Sequence, residues 1–201
     1  MGSVKIKSSL TNKSKNLIKS INSFKKNQKK IEMIIEIIYQ KIINGGKILL
    51  CGNGGSAADA QHLAAEFLVR LRPNINRPPI PAISLALDSS TLTACGNDYS
   101  FSDIFARNLE ALGSSKDVLI AISTSGNSKN IIKTLKKARK KNIFSISFLG
   151  SKGGIAKKFS DISLIVNSNV TATIQESHIF LGHLIFEEAE NQIIKYIKKN
   201  N

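Results

Sequence analysis

A chain of 201 residues, 42% apolar and 21% charged, has one core's worth of material, since domains divide only beyond about 250 residues and disorder needs a less apolar composition. No stretch nears the ~18 uninterrupted apolar residues of a membrane span, Met1 to Lys15 lacks a signal peptide's apolar centre, and two cysteines make no disulfide framework, so no membrane association and a reducing, cytoplasmic setting are expected. The formal charge of +15 sits in residues 1–47 (11 Lys against Glu32 and Glu36) and 129–201 (13 basic against 5 acidic), away from the Gly- and Ser-rich middle, and its Lys-, Ile- and Asn-heavy make-up reads as codon bias, so no nucleic-acid partner is expected.

From Leu17 to Ile43 apolar residues recur at helical spacing, predicting one or two amphipathic helices closed by Asn44-Gly45-Gly46. Five short apolar runs follow: Lys47 to Cys51, Ala82 to Leu87, Asp117 to Ser123, Ile143 to Leu149 and Ile162 to Val166. Helical patterns fall between them at Ser56 to Leu71, Ser102 to Leu112, Ser128 to Lys141 and, briefly, Gly154 to Phe159. A long helix from about Gln175 to Lys199 ends the chain. Strands alternating with helices predict an α/β fold, a three-layer, doubly wound, five-stranded parallel sheet of flavodoxin-like order 2-1-3-4-5. The Pro-rich Arg77 to Pro81 reads as the loop entering the second strand. Residues 1–46 form an N-terminal helical extension to the main unit, 47–201, within one domain overall.

Two strand ends carry candidate chemistry. Gly52-Asn53-Gly54-Gly55 after the first strand allows a tight turn with bare N–H groups, and Ser56 with Asp59 forms an S-x-x-D helix start. Neither the dinucleotide spacing nor a P-loop follows, and a plain strand-to-helix turn accounts for the segment equally well. After the third strand, Ser123-Thr124-Ser125-Gly126-Asn127-Ser128 places four hydroxyls at a helix N-terminus, more than a cap needs, where free N–H groups and the dipole favour an anion such as phosphate. In the 2-1-3-4-5 order both loops face the topological switch point.

On the helix after the glycine turn, His62 and Glu66 stand four residues apart, about 40° around the axis, which suits two metal ligands or an acid and a base. Gln175, His178 and His183 open the last helix. Each has a bland alternative as a surface or core residue. Asn97-Asp98-Tyr99 adds polar groups that would also serve as a turn and cap.

Taken together, Gly52 to Phe67, Asn97-Asp98-Tyr99, Ile122 to Ser128 and Ile174-Gln175-Glu176 with His178 resemble the phosphoheptose isomerases of the sugar isomerase (SIS) domain family, over roughly Lys47 to Glu190. The resemblance implies an aldose-ketose isomerase acting on sedoheptulose 7-phosphate, early in nucleotide-activated heptose synthesis for lipopolysaccharide or capsule. It implies that Asn53, Gly54, Gly55, Glu66, Asn97, Asp98 and Gln175 contact the sugar. Ser123, Thr124, Ser125 and Ser128 would bind its phosphate. One zinc per subunit would be held by His62, Glu66, Gln175 and His183, with Glu66 and His183 as the proton-transfer pair. It also implies a homotetramer with sites at subunit interfaces, assembled through the N-terminal helices. Ala172-Thr173 stands where many members carry Pro-Arg, which bears on a local contact rather than on the reaction. The alternative reading is a non-catalytic SIS-fold protein, a phosphosugar-binding or replication-initiation regulator, but Glu66, Gln175 and His183 are all present here.

Overall fold

A computed structural model describes residues 2–86 and 88–200. Five parallel strands, β1 (Ile48–Gly52), β2 (Ala82–Ser84), β3 (Val118–Ser123), β4 (Phe144–Gly150) and β5 (Ile162–Val166), form one sheet in the order β2-β1-β3-β4-β5. This is the expected order. The second strand closes at Ser84, three residues short of its expected end, and Leu87 lies outside the described residues. The helices are α1 (Gly2–Ser23), α2 (Gln28–Ile43), α3 (Gly55–Leu68), α4 (Ser89–Asp98), α5 (Ile104–Leu112), α6 (Lys129–Lys140) and α7 (Thr171–Asn200). A 3-10 turn, Phe24–Asn27, breaks the N-terminal pair, and the short helix expected near Gly154 is a single 3-10 turn, Ala156–Lys158.

Every residue of β1 and β3 is buried, as a parallel sheet covered on both faces requires. The period of two then divides them. Ile48, Leu50, Val118, Ile120 and Ile122 join the core beneath α2, α3 and α7, whereas Leu49, Cys51, Leu119 and Ala121 join the core beneath α4, α5 and α6. Ile34 and Ile38 of α2 are fully buried in the first of these cores, so the N-terminal extension packs onto the same apolar mass as the sheet.

Helices α3 and α7 carry most of the candidate chemistry, and their close contact has a local cause. A β-carbon on Gly182 would stand 2.6 Å from the Leu63 side chain, so the glycine leaves room for Leu63 between the two helices. One turn further on, a ring from each helix locks the pair: Phe67 and Phe186 are both fully buried with centroids 4.2 Å apart, and each burial is worth about 1.5–3 kcal/mol.

Two expectations are corrected. Helix α4 was not expected, because Ser89–Asp98 mixes Ser, Thr, Gly and Asn with few apolar residues; its start is set by Asp88, whose carboxylate accepts from the N–H groups of Ser90 and Thr91. Asn97-Asp98 is therefore the end of a helix. Ser56 does not cap α3 either: it lies inside the helix, 3% exposed, and Gly54 occupies the cap position without a side-chain bond.

Candidate active site

The glycine turn is built by steric need. A β-carbon at Gly52 would fall 2.3 Å from the Ser56 carbonyl oxygen, and Gly54 takes φ +55° with ψ −122°, a combination that a side chain resists. Gln175 of α7 lies directly over this turn, its amide nitrogen 2.3 Å from where a Gly55 β-carbon would be. Asn53, Gly54, Gly55 and Gln175 are thus gathered at one end of α3.

The loop after β3 divides its hydroxyls between structure and surface. Ser123 is 4% exposed and accepts from the Gly126 N–H at 3.1 Å, bracing the turn, while Gly126 runs at φ +64° beneath the Gly153 backbone. Thr124 and Ser128 are half-buried and Ser125 is exposed. Ser125 accepts from the Asn127 N–H at 3.1 Å. Ser128 holds the cap position of α6, yet its hydroxyl makes no capping bond and sits 3.5 Å from that of Ser123. The N–H groups of Lys129 and Asn130 at the start of α6 and the accessible hydroxyls of Thr124, Ser125 and Ser128 therefore offer an anion a set of donors.

Two turns along α3 from the glycine turn, three chemical groups meet. The Nε2 atoms of His62 and His183 are 2.9 Å apart, and His62 Nε2 is 3.3 Å from Glu66 Oε1. One ligand atom from each of His62, Glu66 and His183 falls within 4.8 Å of the others. Partial burial, and secondarily the neighbouring His62, holds the His183 imidazole below its usual pKa. The Glu66 side chain is 16% exposed, and its Oε2 is enclosed with no hydrogen-bond partner among the described residues. An orphaned carboxylate oxygen beside two imidazoles is a donor set that fits a divalent cation of the zinc type. Gln175 stands apart from this group, eight residues and about 12 Å of helix rise before His183.

The third histidine is a core residue. His178 is fully buried near Phe148, ring centroids 6.1 Å apart, and burial pulls its pKa down to about 4. The native state holds it neutral while the unfolded chain protonates it near 6.5, so the stabilisation is complete above about 6.5 and is lost as pH falls toward 4. That shift corresponds to about 3 kcal/mol. A His178→Phe protein should show a flatter stability-pH curve in urea titrations between pH 6.5 and 4; an unchanged slope would contradict the assignment.

Asn97 and Asp98 are exposed at the end of α4, with the Asn97 amide donating to Asp98 at 2.8 Å. No hydrogen bond joins them to either loop among the described residues.

The chain's spacing did not reveal Arg77 and Glu190. Within the Pro-rich loop Arg77 has a side chain only 2% exposed; it donates to the carbonyls of Glu66 and Phe67, both at 2.8 Å, and to the fully buried Glu190 of α7 at 2.5 Å. Arg72 donates to the other Glu190 oxygen at 2.8 Å. This cluster ties the end of α3, where Glu66 sits, to α7 two turns beyond His183. Its sequence signal, a lone arginine before prolines, is indistinguishable from a surface loop.

A doubly wound sheet with two donor-rich loops at its switch point, flanked by helices bearing an acid and two imidazoles, defines an α/β protein that handles small phosphorylated ligands. The SIS domain family matches residues 11–150. The phosphoheptose isomerase of Clostridium acetobutylicum is 50% identical over 163 residues, 81% of this chain and 82% of that protein. The phosphoheptose isomerase of Helicobacter pylori strain P12 is 47% identical over 84% of this chain and 85% of that one. Among solved structures, those from Neisseria gonorrhoeae (TM-score 0.84, 35% identity, 95% and 100% coverage) and Francisella tularensis (0.86, 34%, 95% and 99%) are likewise phosphoheptose isomerases. The chain belongs to the phosphoheptose isomerase family of SIS-domain proteins.

Proposed function

We propose that this isomerase interconverts sedoheptulose 7-phosphate and D-glycero-D-manno-heptose 7-phosphate. The single observation that supports it most is the meeting of Glu66 and His183 across α3 and α7. The accessible donors of Thr124, Ser125 and Ser128 hold the phosphate, with Ser123 bracing them, and each charge-assisted hydrogen bond is worth about 1.5–3 kcal/mol. Asn53, Gly54, Gly55 and Gln175 contact the sugar at the glycine turn, joined by Asn97 and Asp98 from α4. Moving a hydrogen between C1 and C2 passes through an enediol, which requires a base at carbon and a proton carrier at the two oxygens. Glu66 takes the proton from one carbon and returns it to the other, while His183 moves a proton between the oxygens.

His62, Glu66 and His183 would hold zinc, while Gln175, about 12 Å of helix rise from His183, serves the sugar rather than the metal. A bound zinc would supply Lewis-acid polarisation of the substrate oxygens or fix the ligand geometry. Among the described residues no helix is long and apolar enough to cross a membrane, and a cytoplasmic setting that feeds nucleotide-activated heptose synthesis for lipopolysaccharide or capsule fits this reading. Assembly into a homotetramer is supported by apolar exposure beside the α1–α2 junction: Ile18 is 59% exposed, Phe180 40% and Leu184 37%. Phe180 and Leu184 line a groove of about 280 Å³ with Ile21, Phe24 and Ile31.

The test is incubation of the native protein, its mass checked as a tetramer by light scattering, with sedoheptulose 7-phosphate. Aldose phosphate should form, stop on chelation and resume with zinc. No conversion with zinc present would overturn the activity, and conversion indifferent to chelator would overturn the metal's part in it.

A further inference from the structure

We infer that Asn130, a residue with no role in the site described above, is a positioning residue that sets the orientation of the Asn53 amide and couples the sugar-side turn to the phosphate loop. The inference rests on the reading that Asn53 faces the sugar. Asn130 is the second residue of α6, directly beyond the phosphate loop, and is 2% exposed. Its side chain and that of Asn53, 77 residues away, form a reciprocal amide pair: Asn53 Nδ2 donates to Asn130 Oδ1 at 2.9 Å, and Asn130 Nδ2 donates to Asn53 Oδ1 at 2.7 Å.

A symmetric amide pair could stand either way round. A third bond removes the choice, because the Ile131 N–H also donates to Asn130 Oδ1, at 2.9 Å. With the Asn130 amide flipped, its NH₂ would face that N–H, donor against donor, at a buried site. The α6 backbone thus dictates which end of Asn130 meets Asn53, and Asn130 in turn dictates which end of the Asn53 amide carries the donor. Asn130 itself is held in place by the first turn of α6, where the Thr134 hydroxyl donates to its carbonyl at 2.7 Å. Asn53 keeps one N–H and one lone pair for a ligand, now with fixed polarity. Because β1 and β3 are neighbours in the sheet, the pair bridges the two loops where they face each other.

A double-mutant cycle tests the coupling. Asn130→Ala should lower kcat about tenfold or more, as small misplacements at a reacting centre do, while the inhibition constant of inorganic phosphate stays within about twofold. Asn53→Ala combined with Asn130→Ala should lose no more than the worse single variant. Additive losses, or phosphate inhibition weakening in parallel with kcat, would overturn the inference. Should Asn130→Ala fail to fold, the isosteric Asn130→Asp decides. Its ionised carboxylate cannot donate to Asn53 Oδ1 but its protonated form can, so its kcat relative to the unaltered protein should climb as pH falls, and a flat ratio would refute the role. An unaltered protein with no turnover would refute the isomerase reading instead, and the same cycle read as calorimetric binding of sedoheptulose 7-phosphate would still settle the coupling.

Discussion

Glu66→Gln is expected to reduce turnover of sedoheptulose 7-phosphate by about 10²- to 10⁴-fold, the range a positioned general base contributes, and to leave competitive inhibition by inorganic phosphate unchanged. The substitution keeps the shape of the side chain and its backbone anchors, the Arg77 bonds to the Glu66 and Phe67 carbonyls, so the α3–α7 contact persists. What disappears is the capacity to accept a proton from carbon. Phosphate affinity is expected to be insulated because the donors proposed for it belong to the β3–α6 loop, on a different element from Glu66. Glu66 also belongs to the three-residue group suited to a metal, so bound zinc is measured alongside: lost turnover with zinc retained isolates the proton-transfer role. Near-normal turnover would reject Glu66 as the base.

The second large effect is on stability. Glu190 is fully buried and its two oxygens answer two arginines, so Glu190→Ala strands the guanidinium of Arg77, itself 2% exposed, without a counter-charge. Breaking a buried ion pair from one side costs about 3–5 kcal/mol, which for a chain of this length lowers Tm by roughly 6–20 °C. Removing both partners is a different matter. Arg77→Met with Glu190→Leu leaves no orphaned charge and is expected to recover much of the loss, because apolar replacements of buried pairs are often neutral. Thermal melts followed by circular dichroism check both; a Glu190→Ala protein within about 1 kcal/mol of the parent would show that water reaches the site. The double replacement also gives up the bonds to the Glu66 and Phe67 carbonyls, so recovered stability with depressed kcat would mark the Arg77–Glu190 link as an aligner of α3 against α7.

Legibility from the chain followed the range of the interactions. Strand β5 falls at its expected bounds, and the other strands and the chemistry-bearing helices lie within a few residues of theirs, because buried parallel strands and amphipathic helices write their periods into contiguous residues. Helix α4 escaped because its start rests on one carboxylate, Asp88, and its body on weak helix formers. Ser56 misled because a capping pattern is local while its burial inside α3 comes from the sheet beneath.

The donor-rich turns at Gly52 to Gly55 and Ser123 to Ser128, and their place at helix starts, needed nothing beyond local chain order, since turn chemistry is settled by neighbouring residues. Which histidines share a site could be decided only in three dimensions. His62 and His183 are 121 residues apart and meet where α3 packs against α7, while His178, five residues earlier on the same helix, faces the core. The Asn53–Asn130 and Arg77–Glu190 pairs likewise exist only once β1 lies beside β3 and α3 beside α7. A side chain's partner across the fold depends on helix rotation and strand order, which the residues around it in the chain do not encode.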